Sequence, residues 1–250
     1  MKFLPKINAV YWACIAIASI FGANVGDYLS DGLGLGNLAG LPYEAVALAA
    51  VFAAERFLPR SALYFWVAVA IIRAAATNVG DALHTFNIGW EIAVPASAVL
   101  LALCVVVWRT LRRPEAGTSF IPINGFYWLA LFLAGIFGTV AGDAMSYGLH
   151  LGNLWAAVVT AIPAAFLLVA GRKRLVTKLG YYWLVVALIR TAGTAAGDFA
   201  AHNIGLTNST VVSGVVYFGL VILAYLTTDT NLRVTRRSTE PGQNSVASLS

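Results

Sequence analysis

The sequence predicts an all-α membrane protein with eight transmembrane helices. Three observations lead to this fold class: the composition, apolar segments of membrane-spanning length, and an internal repeat. Of the 250 residues, 60% are hydrophobic and 11% are charged, whereas a soluble domain has roughly 25% charged residues. A span needs about 20 apolar residues, and the chain has eight such segments, at about 9–30, 42–58, 62–84, 91–110, 124–147, 154–171, 179–201 and 209–228.

Each odd-numbered segment begins with an aromatic pair ending in Trp and has a Gly-Asp pair near its end. The four units are YWACIAIASIFGANVGD, FWVAVAIIRAAATNVGD, YWLALFLAGIFGTVAGD and YWLVVALIRTAGTAAGD. Each unit continues through a short loop into a second apolar segment, so all four enter the membrane in the same orientation. The Trp/Asp pairs are Trp12 and Asp27, Trp66 and Asp81, Trp128 and Asp143, and Trp183 and Asp198.

Unit 1 resembles unit 3, and unit 2 resembles unit 4. This alternation indicates that one unit was duplicated and that the resulting pair was then duplicated again. Units 1 and 3 are similar through the Gly-Asp pair and beyond, whereas units 2 and 4 share an arginine within the sequences IIR and LIR. We therefore predict a first half at 1–113, a second half at 114–228 and a tail at 229–250. The tail is polar without periodicity, so we expect it to be disordered. The odd helices are expected to line a pseudo-fourfold centre, with the even helices as the outer wall.

The basic residues predict the orientation. All but two of the Lys and Arg residues from Lys2 to Arg237 fall on one side of an eight-span topology, and the loops near 31–43, 84–91, 147–154 and 200–209 contain none. The positive-inside rule then predicts a multi-pass protein of the bacterial inner membrane with both termini cytoplasmic. The net charge of +5 therefore points to anionic lipid headgroups and not to nucleic acid. Because the pattern of the first segment returns in later units, we expect a retained helix and not a cleaved signal peptide.

The repeated residues resemble those of a known group. The chain is similar to the bacterial membrane-anchored protein family made of four tandem repeats of unknown function, each with two spans and a characteristic Trp. The resemblance covers about residues 8–228 and rests on Trp12, Trp66, Trp128 and Trp183 with the Gly-Asp pairs. It implies an integral bacterial membrane protein and implies no activity.

The four aspartates are the main candidate site. At 1.5 Å per residue, each Asp lies about 22 Å along the helix from its Trp, which puts it in the outer third of the membrane if Trp lies at the inner interface. An isolated charge at that depth is expected to pair, bind a cation or take up a proton. Small residues spaced four apart before each Asp predict close helix packing. The alternative is structural, with Asp27 or Asp143 capping the loop that follows.

Two arginines lie near mid-membrane, away from the inner face. Arg73 and Arg190 occupy the same place in units 2 and 4, where units 1 and 3 have Ser19 and Gly135. An unpaired Arg at this depth costs at least roughly 2.5 to 3.5 kcal/mol, so we expect partners from neighbouring helices. The guanidinium groups either tune a cation site at the aspartates or form a closed ion-pair network that stabilises the bundle.

Other polar residues near the aspartates extend the candidate site. Asn24 and Asn78 precede two of them, and carboxylate and amide oxygens suit hard cations such as magnesium or manganese. His84, His150 and His202 also lie at the outer ends; capture of a softer metal, haem ligation and ordinary loop histidines are the alternatives. Cys14 and Cys104 have no metal-binding spacing and are expected to pack in helices.

These residues predict an integral membrane transporter of a small cation through a central intramembrane carboxylate site; a divalent metal as the ion and coupling to protons are both open. The chain has no nucleotide-binding, hydrolase or metalloprotease motif, so we expect neither an enzyme nor a cofactor beyond a bound divalent cation. The expected partners are the lipid bilayer and the cation, and a homo-oligomer stays open. The alternatives are a non-transporting scaffold or sensor with a structural Asp/Arg network, and a binder of a small organic cation or lipid between the halves. The predicted ion site comprises Asp27, Asp81, Asp143, Asp198, Arg73, Arg190, Asn24 and Asn78, with the four aspartates as the predicted metal ligands.

Overall fold

The computed structural model describes residues 5, 7–58, 61–111, 121, 123–171 and 178–238, with backbone alone for 227–238. Within these residues the chain forms eight α-helices and no strand. All eight are long and apolar enough to cross a membrane, which confirms the predicted fold class. The helices are α1 Ala9–Asp27, α2 Asn37–Phe57, α3 Ala62–Thr85, α4 Trp90–Leu111, α5 Gly125–Asp143, α6 Gly152–Ala170, α7 Leu179–Ile204 and α8 Leu206–Ser238.

Side-chain caps set the starts of three odd helices. The side chain of Asn8 accepts a hydrogen bond from the Tyr11 amide at 2.9 Å, and Asn124 accepts one from Tyr127 at 3.1 Å. Ser61 caps α3 in the same way. Such caps satisfy amides that have no partner within the helix, so the aromatic pair of each of these units lies in the first turn.

Units 1 and 3 also share an irregular end. Directly after Asp27, α1 continues in a π-helical turn, Tyr28–Gly32, and α5 continues after Asp143 in the equivalent turn Ala144–Gly148. The helices α3 and α7 pass their aspartates as regular α-helix. The alternation seen between the units in sequence is therefore also present in the backbone.

The odd helices form the core and the even helices form its wall. In the most apolar window of each span, 56% to 61% of the odd-helix residues are buried, against 11% to 28% for the even helices. The odd helices contact one another in a closed ring in the order α1, α3, α5, α7 and back to α1. The predicted arrangement of inner and outer helices is therefore confirmed.

Each outer helix packs mainly on the inner helix of the next unit and not on that of its own unit. Helix α2 packs on α3, α4 on α5, α6 on α7, and α8 returns to pack on α1. The connections within the units, at 33–36, 86–89, 149–151 and 205, define what we call the hairpin face, and the opposite end is the terminal face. The division at residue 113 lies outside the described residues, and the two halves stay a prediction.

The end of the chain differs from the predicted tail. Helix α8 continues to Ser238, so 229–238 are helical where the sequence suggested disorder. Extending an existing helix adds one hydrogen bond per residue without a new nucleation step, which explains how a polar segment continues the helix. The rest of the tail, and basic residues such as Lys2, Arg113 and Lys173, lie outside the described residues.

Candidate functional site

Small residues bring the inner helices close together at the level of the arginines. We call Ser19, Arg73, Gly135 and Arg190 the arginine layer. A Cβ atom added to Gly22 would lie 2.6 Å from Cβ of Arg73, and one added to Gly138 would lie 2.5 Å from Cβ of Arg190. Each unit therefore presents a small residue to the arginine layer of the next unit. Around the ring the contacts are Gly22 with Arg73, Ala76 with Gly135, Gly138 with Arg190, and Gly193 with Ser19.

The four repeated aspartates converge. Asp81 interacts electrostatically with Asp27, Asp143 and Asp198, and Asp143 interacts with both Asp27 and Asp198. All four side chains are partly buried. We call them the aspartate layer. The structure therefore brings together the four residues that the repeat pattern singled out.

Asp27 and Asp81, on the neighbouring helices α1 and α3, interact with each other electrostatically. The capping alternative receives no support, since neither Asp27 nor Asp143 makes a side-chain capping bond to the described π-helical turn that follows.

A cavity of about 460 Å³ lies at the hairpin face above this layer. Asp27, Asp143 and Asp198 line it. It opens between exposed residues, among them Asp31 of the π-helical turn and His202 of α7. These three carboxylates are therefore accessible from the hairpin face through an acidic, polar entrance. The remaining lining residues are His84, Trp90, Tyr147, Asn153, Ala201 and Leu206.

Arg73 lies beneath the aspartate layer and is held by hydroxyl groups. Its guanidinium donates hydrogen bonds to Thr77 of its own helix, to Thr139 at 3.0 Å and to Thr194 at 2.7 Å. Thr139 belongs to the neighbouring helix α5, as the sequence predicted, whereas Thr194 belongs to α7 on the opposite side of the ring. The guanidinium also interacts electrostatically with all four aspartates. We call Ala23, Thr77, Thr139 and Thr194, which occupy one repeat position, the threonine layer.

Arg190 occupies the same repeat position in a different environment. The side chain is fully buried, yet its Nε, Nη1 and Nη2 have no hydrogen-bond partner among the described residues. The groups that act on it electrostatically are Arg73 and the hydroxyls of Tyr127, Tyr182 and Tyr217. Within the described part of the chain, neither arginine donates a hydrogen bond to an aspartate. The closed Asp/Arg ion-pair network of the structural alternative is therefore absent from the described residues.

Aromatic side chains fill the axis toward the terminal face. The hydroxyls of Tyr11 and Tyr127 are 3.2 Å apart, and Tyr182 bonds to both. Phe65 completes the layer and contacts Tyr11 and Tyr127 with its ring. We call these four residues the aromatic layer. Trp66 and Trp183 are buried next to it, so these Trp side chains pack inside the bundle instead of lying at the lipid interface.

The structure does not place Asn24 or Asn78 in the aspartate layer. The amide of Asn24 donates to Ser209 of α8 at 2.7 Å, and that of Asn78 donates to Glu44 of α2 at 2.9 Å. Both asparagines therefore point outward to the outer helix that packs on their own helix. Three residues turn the helix by about 300°, so each Asn is offset by about 60° from its Asp, and its amide bonds to the outer helix.

The described residues include no grouped set of metal ligands, and two of the three histidines lie at the cavity. Among the described residues, no group of three His, Cys, Asp or Glu side chains is arranged to hold a metal ion. His84 and His202 lie at the rim of the cavity, and His84 packs edge-on against Trp90. His150 does not line the cavity. Cys14 and Cys104 are buried free cysteines, as expected for packing residues.

A second, larger cavity is apolar and lies elsewhere. It has a volume of about 870 Å³ and runs along the seam between units 4 and 1, where α6 covers α1 and α7. Trp12, Ile20 and Leu168 are among its lining residues, and no aspartate lines it. A binder of organic cations would need an apolar cavity beside the aspartates. This cavity does not meet that requirement.

Glu44 is a buried carboxyl group that the sequence analysis passed over. It is only 4% exposed, although α2 otherwise faces outward along most of its length. Its presence within an apolar segment could have identified it, because ionisable residues within membrane spans are rare and mostly functional.

Comparison with known proteins agrees with the repeat. The model of a family described as a Repeat of Unknown Function (DUF347) matches residues 10–61 and 181–230. No curated protein and no solved structure matches the chain. The two matches cover the inner and outer helices at the beginning and end of the ring. The resemblance seen in the sequence is thus confirmed for the first and the last unit, which are similar to this repeat family of unknown function.

Proposed function

We propose that the protein transports a small cation across the bacterial inner membrane, without a chemical reaction, and that the aspartate layer binds the cation. The observation that carries the proposal is the convergence of four carboxyl groups from four equivalent helices, three of which line a cavity at the hairpin face. Convergent carboxylates attract cations, and burial strengthens this attraction. With the charge map of the sequence, the hairpin face is the periplasmic face and the termini are cytoplasmic.

The geometry favours a cation that keeps part of its water shell. The cavity of about 460 Å³ has room for water around an ion, and no three acidic or histidine side chains of the described residues are grouped as metal ligands. Magnesium commonly binds in this way, through one or two carboxylates and several waters. A metal ligated directly by all four aspartates is the less favoured version.

The net charge of the aspartates and arginines supports exchange of the cation for protons. Four ionised aspartates and the two arginines would leave a net charge of minus two, which one divalent cation or two protons would neutralise. An arriving cation would displace protons from the layer, since both neutralise the same carboxylates. Arg73 supplies the fixed positive charge beneath the layer that keeps the cation from being held permanently.

The path toward the terminal face is closed in the described structure. Below the aspartate layer lie the guanidinium of Arg73, the buried Arg190 and the hydrogen-bonded tyrosines of the aromatic layer. Transport therefore needs a second conformation in which these layers separate. The absence of hydrogen-bond partners at Arg190 among the described residues supports such a state, because a buried unpaired guanidinium is costly and gains from any rearrangement that supplies acceptors.

Single Asp→Asn variants test this function. Purified protein in liposomes is given gradients of sodium, potassium, magnesium or manganese, and cation and proton fluxes are followed with dyes. We expect D143N and D198N to lose at least about tenfold of the flux while keeping their thermal stability, because a removed charge in the site acts on binding directly. E91Q is the matched control, since Glu91 is exposed at the start of α4.

The second candidate is a non-transporting scaffold or sensor, favoured by the closed aromatic layer. It predicts wild-type fluxes no higher than those of protein-free liposomes for every cation tested. Binding without flux would identify a sensor: magnesium or manganese would then raise the melting temperature of the wild type, and not of D198N. Neither binding nor flux would leave the scaffold.

A further inference from the structure

Glu44 of α2 and Asn78 of α3 form a buried polar pair between an inner and an outer helix. Asn78 is fully buried and Glu44 is 4% exposed. The Asn78 amide donates to Oε1 of Glu44 at 2.9 Å. Gly40, one turn before Glu44, lets the helices approach, because a Cβ there would lie 3.0 Å from Nδ2 of Asn78. Gly40 and Glu44 are the buried residues of α2, so this contact is centred on the carboxyl group.

The pair has two acceptors without donors. Oε2 of Glu44 and Oδ1 of Asn78 are buried and have no hydrogen-bond partner among the described residues. These two atoms are the other polar atoms of the same two planar groups that the Asn78 to Glu44 bond already joins. A proton on Oε2 would donate to Oδ1 and complete an acid–amide ring with two hydrogen bonds. Without it, two buried acceptors stay unsatisfied, and each costs about 1–3 kcal/mol.

The other units show that packing does not require an acid here. The outer helices α4, α6 and α8 carry a buried hydroxyl at the corresponding contact. In unit 1, Asn24 occupies the place of Asn78 and donates to Ser209, with Ser213 at 3.3 Å. A serine therefore accepts the hydrogen bond of the same amide where the helices have the same arrangement, although Oδ1 of Asn24 also has no partner among the described residues. The hydroxyl residues that correspond to Glu44 are Ser97, Thr160 and Ser213.

No charge balances an ionised Glu44 in the described structure. Besides the hydrogen bond from Asn78, no side chain of the described residues acts on Glu44 electrostatically. An ionised carboxylate without a counter-charge is strongly disfavoured within a membrane span. The titratable groups on the elements packed against α2 are Tyr11, Cys14 and Asp27 of α1, Tyr28 and Asp31 of the turn after it, and Tyr64, Arg73, Asp81 and His84 of α3.

We propose that Glu44 and Asn78 form a proton-binding site, in which a neutral carboxylic acid is hydrogen-bonded to an amide. The site lies between α2 and α3, separate from the aspartate layer and its cavity. It does not rest on the proposed transport function, because the acid–amide pair would hold its proton whether or not the aspartates move a cation. It places a titratable contact between an outer helix and the inner ring.

Infrared spectroscopy distinguishes the two charge states of Glu44 directly. The difference spectrum at neutral pH between the wild type and E44Q is recorded in detergent or lipid. We expect the wild type to carry a protonated-carboxyl carbonyl band that E44Q lacks, and this band to change frequency in N78V. Val is the residue of unit 3 at that place, Val140. Loss of carboxylate bands instead would overturn the proposal. E44S replaces E44Q if the latter does not fold, since serine occupies this place in α4 and α8.

The pH dependence of stability gives a second test. If the folded protein holds a proton on Glu44 that the unfolded chain releases near neutral pH, stability falls as pH rises, with a slope set by that one proton. E44Q keeps both hydrogen bonds of the ring and should reduce this slope by one proton. An unchanged slope in E44Q contradicts the proposal. A sodium-dependent rise in melting temperature that E44Q abolishes would mean that a cation fills the site, and would also contradict it.

Discussion

Arg73 and Arg190 occupy the same position in units 2 and 4, and their surroundings differ more than those of any other repeated pair discussed above. Arg73 donates to three threonines and interacts with every aspartate, whereas Arg190 has no hydrogen-bond partner among the described residues. Each is packed at its Cβ against a glycine of the preceding unit. The backbone setting is thus the same, and the difference arises at the end of the side chain.

The absence of a threonine in unit 1 explains why Arg73 and Arg190 differ in their hydrogen bonds. Arg73 uses Thr77 of its own unit, Thr139 of the next and Thr194 of the one after. The equivalent residues for Arg190, taken from its own unit, the next unit and the one after, are Thr194, Ala23 and Thr77. Ala23 has no hydroxyl, so Arg190 would gain fewer bonds in the threonine layer. Two guanidinium groups in that layer would also repel each other, and the arginine with more acceptors takes the place. A pattern of repeats can therefore produce two different sites through one missing oxygen.

The largest expected difference is between R73M and R190M. Removing Arg73 leaves the four aspartates without their nearest positive charge, so we expect a loss of about 3–5 kcal/mol in stability. Replacing Arg190 removes a buried guanidinium without partners, and we expect a change within about 1 kcal/mol or a gain. Denaturant unfolding in detergent at fixed pH measures both. Equal losses in the two variants would show that Arg190 has partners of comparable strength.

The next effect concerns the close packing of the helices at the arginine layer. In G138A the new Cβ would lie 2.5 Å from Cβ and 2.7 Å from the carbonyl carbon of Arg190. The backbone must move, and we expect a loss of about 1–3 kcal/mol. G180A is the control, because nothing lies within 4 Å of its added Cβ. Thermal unfolding of both variants is the measurement, and a G138A protein as stable as G180A would refute the close approach of α5 and α7.

The threonine layer can be tested one hydroxyl at a time. T139V removes the bond that Arg73 donates at 3.0 Å, and a hydrogen bond to a charged group contributes about 1.5–3 kcal/mol. Thr191 is buried in the same region but bonds only to the backbone carbonyl of Ala187. We therefore expect T191V to change stability by less than about 0.5 kcal/mol. If T139V is as mild as T191V, the three threonines are not what distinguishes Arg73.

The smallest effect is expected at the aromatic layer. Y182F removes one hydroxyl of three and leaves Tyr11 and Tyr127 bonded at 3.2 Å. Phe is already the residue of unit 2 in this layer, so we expect a loss of about 0.5–1.5 kcal/mol. Y225F, at an exposed position of α8, should not change the melting temperature. A loss well above this range in Y182F would mean that the Tyr182 hydroxyl also stabilises Arg190.

The sequence predicts the fold and the central aspartates for a clear reason. Four equivalent spans with one orientation place equivalent residues at one depth, so Asp27, Asp81, Asp143 and Asp198 were expected to meet. What it does not predict is which outer helix covers which inner helix. Asn24 and Asn78 were therefore assigned to the ion site, although they bond to α8 and α2. Glu44 was missed for the same reason, since its partner belongs to the next unit.

The return of α8 to α1 has a consequence for synthesis. Helix α1 enters the membrane first, yet the outer helix that covers it is the last to be made. Until then the amide of Asn24 has neither Ser209 nor Ser213 as a partner and faces lipid or the insertion machinery. A nascent chain that ends before α8 therefore carries an uncovered polar group and an open seam. The last helix to be made therefore completes the packing of the first.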